Sequence, residues 1–198
     1  MGVFGAQGYG KTTYGRKFVA EVGNSKECGC VFLFDPDGEF SDDLHLPPCR
    51  TPYELDQAIP TGWACFNPHI MFPGEMEKAL DYLAHYTFEK SKRLPGRKLF
   101  VVDELGLHVP VSKVPKHVKI VVQTGGRVAG ISCVFIAQQP NELHNTIRQA
   151  LTEVVCFQLT DDCALEFPKK FGFDTDAIKQ LPPYQYICRN KQGQEVRG

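Results

Sequence analysis

No apolar run in the sequence approaches the ~18 residues of a membrane span, and the N-terminus lacks the basic-then-apolar layout of a secretory signal. A soluble, intracellular chain with no membrane span of its own is the expectation. There is no surplus of positive charge: 22 Lys and Arg stand against 23 Asp and Glu, a formal charge of −1. Domains that coat nucleic acid through bulk electrostatics usually have a pI above about 9, so any such contact here must be local. The eight cysteines show no C-x2-C pair, and the nearest two, Cys28 and Cys30, have no further ligands at zinc spacing. Cys133 and Cys156 lie inside apolar runs, so the thiols read as small buried hydrophobes of a reducing compartment. Internal repeats, low-complexity linkers and breaks in composition are absent too. At 198 residues, 42 % apolar and 23 % charged, the chain reads as one globular domain over 1–198.

What is present is a rhythm of short apolar runs separated by helical or turn-rich stretches. The runs Cys30–Phe34, Leu99–Val102, Ile131–Ala137 and Val154–Leu159 are continuous rather than alternating, as in strands buried on both faces. Shorter strands are expected at Trp63–Phe66 and Tyr184–Cys188. Helices are expected from Thr12 to about Val22, Gly74 to about Lys92, roughly Pro115–Gln123 and Asn141–Leu151. Leu80, Leu83, Ala84 and Phe88 recur at helical spacing and should pack on the sheet. The pattern implies an α/β fold with a mostly parallel, doubly wound sheet and helices on both faces.

Gly5-Ala6-Gln7-Gly8-Tyr9-Gly10-Lys11-Thr12 fits G-x-x-x-x-G-K-[ST] at every fixed position, and Thr13 continues into a helix. Glycines let successive backbone N–H groups converge on phosphate oxygens, and the helix adds its positive N-terminal end. Gly5, Gln7, Gly8, Tyr9, Gly10, Lys11, Thr12 and Thr13 are therefore the candidate nucleotide-binding residues. Lys11 is the side chain for the β and γ phosphates, and the Thr12 hydroxyl is a ligand for Mg²⁺. Only four residues precede Gly5, so the first strand is very short or residues are missing at this end.

Leu99-Phe100-Val101-Val102-Asp103-Glu104 is an apolar strand ending in two carboxylates. An acid at the tip of a strand beside a phosphate loop can complete the Mg²⁺ shell, a role for Asp103. Glu104, one residue on, is placed to polarise an attacking water as general base. Together the two motifs indicate hydrolysis of ATP or GTP.

Two further segments narrow the branch. One strand ends Phe34-Asp35-Pro36-Asp37-Gly38-Glu39-Phe40. After the acidic motif come Gly126-Arg127-Val128-Ala129-Gly130, then a strand ending Gln138-Gln139-Pro140-Asn141-Glu142-Leu143. In this order the segments resemble the FtsK/HerA superfamily of DNA-pumping ATPases, from Gly5 to about Asp161. The resemblance implies a RecA/FtsK-like P-loop NTPase core using ATP and Mg²⁺. It further implies that Gln138 is the polar sensor of γ-phosphate or attacking water, and that Arg127 is a finger inserted into a neighbouring subunit's site, with Arg148 as its rival. Gln139 departs from the pattern, since many relatives have Arg there. With no room for the barrel of HerA proteins or the membrane segments of FtsK proteins, the chain is most similar to the genome-packaging ATPases of tailless icosahedral double-stranded DNA viruses. A homo-oligomeric ring, hexamer or pentamer, is then expected, with double-stranded DNA and viral capsid or vertex proteins as partners, in the host cytoplasm and at the packaging vertex.

A translocating ring needs cations facing its channel. Lys90, Lys92, Arg93, Arg97 and Lys98 form the densest basic stretch, and Lys113, Lys116, His117 and Lys119 a second. Two other readings compete. A small P-loop nucleotide or nucleoside kinase should carry an arginine-rich lid, which is not evident, and filamentous-phage assembly ATPases normally carry a membrane segment. Tyr184 and Tyr186 are candidates to stack on a base, although strand aromatics more often pack in cores.

Overall fold

Eighteen helices and strands follow one another in the computed structural model, which describes residues 1–198. In order they are β1 (Gly2–Phe4), α1 (Lys11–Gly23), β2 (Cys28–Phe34), α2 (Glu39–Asp43), α3 (Pro52–Ala58), β3 (Trp63–Phe66), α4 (Met76–Ser91), β4 (Arg97–Val102) and α5 (Leu105–His108). Then come α6 (Lys116–Ile120), α7 (Gly126–Ala129), β5 (Ile131–Ala137), α8 (Asn145–Ala150), β6 (Glu153–Cys156), α9 (Asp162–Phe171), α10 (Thr175–Lys179), β7 (Ile187–Asn190) and β8 (Glu195–Arg197). The strands hydrogen-bond in the order β3-β2-β4-β5-β1-β6-β7-β8. Strand β1 is parallel to β5 and β6, and β2 to β3 and β4, whereas β6–β7 and β7–β8 are antiparallel. This is an α/β fold with a mixed, mainly parallel sheet flanked by helices. No helix is long and apolar enough to cross a membrane.

By the density of its contacts the chain divides into two compact units. One comprises Met1–Gly15, Glu104–Val114 and Phe135–Gly198, the other Arg16–Asp103 and Pro115–Val134.

In the second unit β2 lies between β3 and β4, with Phe32 in register with Ala64 and Phe100. Val31 to Phe34 are fully buried, which explains why the run is continuous rather than alternating. Leu80, Leu83 and Ala84 of α4 are buried too, and Tyr86 meets Phe32 edge-on with ring centroids 6.2 Å apart. Each fully buried Val, Leu or Phe side chain contributes about 1.5–3 kcal/mol. The Tyr86 hydroxyl donates to Asp56 (2.5 Å), tying α4 to α3. Helix α3 starts where its sequence says it should: Thr51 caps it by accepting from the Glu54 N–H (3.2 Å), and Pro52 opens it.

In the first unit the centre is β1, with Val3 opposite Ile136 on one side and Val155 on the other. Phe4, fully buried, packs edge-on against Phe167 of α9 at 6.1 Å. Asp161 caps α9 through the Ala164 N–H (2.9 Å). Strand β6 stops at Cys156 rather than Leu159. Strand β7 begins at Ile187 rather than Tyr184, because Tyr184 has φ +66°, which is incompatible with extended backbone. Gly193, at φ +84°, turns the hairpin into β8.

Candidate active site

The phosphate loop leaves the C-terminal end of β1 and enters α1. Its start is fixed by two neighbours in the sheet: the Gly5 N–H donates to the Gln138 carbonyl (3.2 Å) and the Ala6 N–H to the Gln158 carbonyl (2.9 Å). A Cβ on Gly5 would lie 2.5 Å from the Phe157 Cβ, so only glycine lets the loop pass β6 so closely. Gly8 and Gly10 hold φ of +81° and +98°, the left-handed conformations that turn the backbone N–H groups inward. At Gly10 the constraint is doubled, since a Cβ would sit 2.7 Å from Cδ1 of Tyr184. The Tyr184 N–H donates to the Tyr9 carbonyl (3.0 Å) and holds that ring at the loop. Gly8, Gly10, Lys11, Thr12, Thr13 and Tyr184 line a cavity of about 150 Å³.

Lys11 is 5 % exposed, unusual for an unbranched cation. Its ammonium pairs with Glu104 (Nζ–Oε1 3.2 Å). Glu104 follows β4 by two residues and has φ +46° and ψ +44°. For a non-glycine residue that conformation costs about 1–3 kcal/mol and is a mark of functional sites. The turn aims the carboxylate at the phosphate-loop lysine. Thr12 is half-buried in the first turn of α1. Gln138 is half-buried at the end of β5, with its main chain bonded to the loop. After it, Glu142 accepts from the Gln139 N–H (3.2 Å), while Gly106 of α5 lies so close that a Cβ would meet the Glu142 Oε2 at 2.9 Å.

In the second unit, Asp103 is half-buried in the turn after β4. Asp35, 3 % exposed, ends β2 and accepts from the Phe40 (3.2 Å) and Ser41 (2.8 Å) N–H groups and from the Cys65 thiol (3.5 Å). It thereby holds the first turn of α2, whose Glu39 pairs with Arg16 of α1. That explains the first Asp of the D-P-x-G-E segment as a helix-start clamp. Arg127 projects from α7 as an exposed residue, next to Val128 at 51 % exposure. Arg148, by contrast, is half-buried on α8 of the first unit, in a cavity of about 280 Å³ with Asn141, Asn145, Cys163 and Glu166.

The basic stretch after α4 is less uniform than its sequence. Arg93 and Arg97 are exposed. Lys90 pairs with Asp56 and lies over the Tyr86 ring (5.2 Å), and Lys92 pairs with Glu89 (2.7 Å). Lys98 must be removed from the DNA-facing set: it is 4 % exposed, and its ammonium donates to the carbonyls of Leu94 and Gly96 (both 2.9 Å). Burial pushes its pKa down. The physical reason is the pleat of β4, which turns Lys98 inward while leaving Arg97 outside. His117 of the second basic group is likewise turned inward, its Nδ1 2.7 Å from an Asp81 carboxylate oxygen. None of the eight cysteines forms a disulfide, and four of them are buried, but Cys163 is exposed.

A glycine-rich loop between β1 and α1, with a lysine held by an acid from the turn after another strand, defines the P-loop NTPase fold, here with a RecA/FtsK-like core. Comparison with known proteins gives the fold particular company. No protein-family model matches the sequence, and no curated protein does. Solved structures do. The genome packaging NTPase B204 from Sulfolobus turreted icosahedral virus 2, in complex with AMPPCP, superposes with a TM-score of 0.77 at 14 % identity, covering 99 % of this chain and 94 % of that one. The pCW3 conjugation coupling protein TcpA, with ATPγS, gives 0.64 at 15 % identity, covering 100 % of this chain and 58 % of that one. For the cytoplasmic domain of the Thermomonospora curvata type VII secretion ATPase EccC the values are 0.61 and 15 %, with coverage of 99 % and 24 %. At these identities the likeness is one of fold.

Proposed function

We propose that the chain is an ATP hydrolase that drives double-stranded DNA through a ring of its own copies, packaging a viral genome into a preformed capsid. The observation that carries the chemistry is the Lys11–Glu104 pair at 3.2 Å on the wall of the phosphate loop. It sets a cation for the phosphates beside a carboxylate able to take a proton from water. Backbone N–H groups of Gly8 to Thr13 bind the phosphate chain, Lys11 neutralises charge on the transferring phosphoryl group, and Glu104 accepts the proton of the attacking water. Gln138, held at the end of β5, orients that water or the γ-phosphate through an amide that both donates and accepts.

The donor set suits Mg²⁺. Thr12, in the first turn of α1, offers a hard hydroxyl oxygen. Mg²⁺ keeps several waters and binds through one or two protein oxygens plus phosphates; once bound, it neutralises charge on the phosphates.

Arg127, exposed on α7, acts on a neighbouring subunit's nucleotide, which makes turnover dependent on assembly into a hexamer or pentamer. Arg93, Arg97, Lys90 and Lys92 contact DNA phosphates without reading sequence. Capsid or vertex proteins anchor the ring at the packaging vertex, and the whole of 1–198 serves as one ATPase domain, working in the host cytoplasm. Support for packaging rather than conjugation or secretion comes from the superposition of the fold, with a TM-score of 0.77 on the packaging NTPase against 0.64 and 0.61 on the coupling protein and the secretion ATPase.

The test is an ATPase assay with and without double-stranded DNA, run beside a measurement of oligomer size. DNA-stimulated release of phosphate by an assembled ring is expected. An assembled ring indifferent to DNA overturns the translocation reading, and transfer of phosphate to a nucleoside monophosphate establishes a kinase instead.

A further inference from the structure

The first unit contains one aromatic residue whose exposure, backbone and position are all out of the ordinary. Tyr184 is 67 % exposed, sits at φ +66°, and forms part of the cavity wall beside Gly8, Gly10, Lys11, Thr12 and Thr13. Residues with a bulky side chain seldom adopt that backbone, and where they do the surroundings hold them there. Here the hold is the hydrogen bond from the Tyr184 N–H to the Tyr9 carbonyl (3.0 Å). The ring edge rests on Gly10, where a Cβ would come within 2.7 Å of it. The loop and the ring thus require each other: glycine at position 10 makes room for an aromatic at 184.

Tyr186, two residues on, is a contrast. It packs against Tyr14 (ring centroids 4.7 Å) and Phe157 (5.6 Å), the ordinary role of an aromatic near a sheet. No such ring packing accounts for Tyr184, which is the only aromatic among the residues lining the phosphate-loop cavity.

We propose that Tyr184 is the stacking platform for the base of the bound nucleotide, and that its ring favours purine over pyrimidine nucleoside triphosphates. This rests on the nucleotide-binding reading above and deepens it. Phosphates held by the backbone of Gly10 to Thr13 leave the nucleoside beside the same wall, where the ring is fixed in place before the ligand arrives. A π-face stacks on any base, and more strongly on the larger purine surface, so the ring discriminates by ring size and not between adenine and guanine. Alanine substitution of such platforms corresponds to an affinity loss of about 5- to 150-fold.

The experiment measures binding of ATP, UTP and inorganic tripolyphosphate, each with Mg²⁺, by calorimetry. It compares the parent chain with Tyr184→Asn, which removes the ring but tolerates the left-handed backbone, and with Tyr184→Phe. Thermal melting checks that each variant folds. Expected are a 5- to 150-fold loss of ATP affinity in Tyr184→Asn, a smaller loss for UTP, unchanged tripolyphosphate binding, and near-parent behaviour of Tyr184→Phe. Equal losses for ATP and tripolyphosphate would make Tyr184 a brace of the loop and overturn the proposal, as would ATP binding unaffected by Tyr184→Asn. A parent that binds tripolyphosphate as tightly as ATP also sinks the stacking platform while leaving the phosphate site standing. One that binds neither removes both readings.

Discussion

Lys11 and Glu104 come from opposite halves of the sequence and form an ion pair of 3.2 Å with the lysine almost wholly buried. A triphosphate on the loop competes with Glu104 for the same ammonium. Glu104→Gln removes both the competitor and a like charge facing the phosphates, so it should bind ATP at least as tightly as the parent. Turnover should fall by about 10²–10⁴, the usual contribution of a positioned base. Equilibrium binding and steady-state phosphate release on the same preparation check the two halves separately. Lys11→Ala should instead lose binding itself.

The two left-handed glycines of the loop separate strain from collision. Gly8→Ala meets open space and should cost about 1–2 kcal/mol from its φ alone. Gly10→Ala carries the same backbone strain and also drives a methyl group into the Tyr184 ring. Its loss should exceed that of Gly8→Ala in urea denaturation, and ATP affinity should fall with it.

Arg127 is exposed on α7 and has an assembly-dependent role in the proposed ring. Arg127→Ala should bind ATP normally and assemble, yet hydrolyse it more slowly by the order of 10³–10⁵ seen when such fingers are removed. Mixing Arg127→Ala with Glu104→Gln should restore part of the activity, because some interfaces then combine an intact Glu104 with an intact Arg127. A mixture no more active than its components would place the arginine's action within its own subunit or outside the chemistry.

Alkaline pH should destabilise the fold. Burial pushes the thiols of Cys30, Cys133 and Cys188 from their ordinary 9.0 up to about 12. Between about pH 9 and 12 the unfolded chain therefore holds fewer protons than the folded one, and unfolding free energy falls as pH rises. Lys98 acts in the opposite sense, since its burial lowers a folded-state pKa, but it is one group against several. Urea midpoints in reductant should be level near neutrality and drop above about pH 9. Cys133→Ala should flatten that drop.

Much of the fold was legible because its signals are local. Trp63–Phe66 and Ile131–Ala137 are strands with the expected bounds, as continuous apolar runs between turn residues allow. The phosphate loop was legible for the same reason: its glycines are needed by the backbone whatever surrounds them. Helix α3 was missed although Thr51-Pro52 followed by Glu54 is a readable cap, and α9 was obscured by Pro168 within it. Lys98 illustrates the opposite failure, since a run of cations does not reveal which members a pleat turns inward. Tyr184 could not be told apart from Tyr186 by sequence, because what distinguishes it is contact with Gly10, far away along the chain.

Between α6 and α7 the helix from Lys116 to Ala129 passes through a π-helical turn, Val121–Gly125. Each residue of an α-helix advances about 100° around the axis, so this wider turn acts as a rotational offset built into the covalent chain. It fixes the compass bearing at which Arg127 leaves α7. An unbroken α-helix over the same residues would place Arg127 about 100° further round the axis.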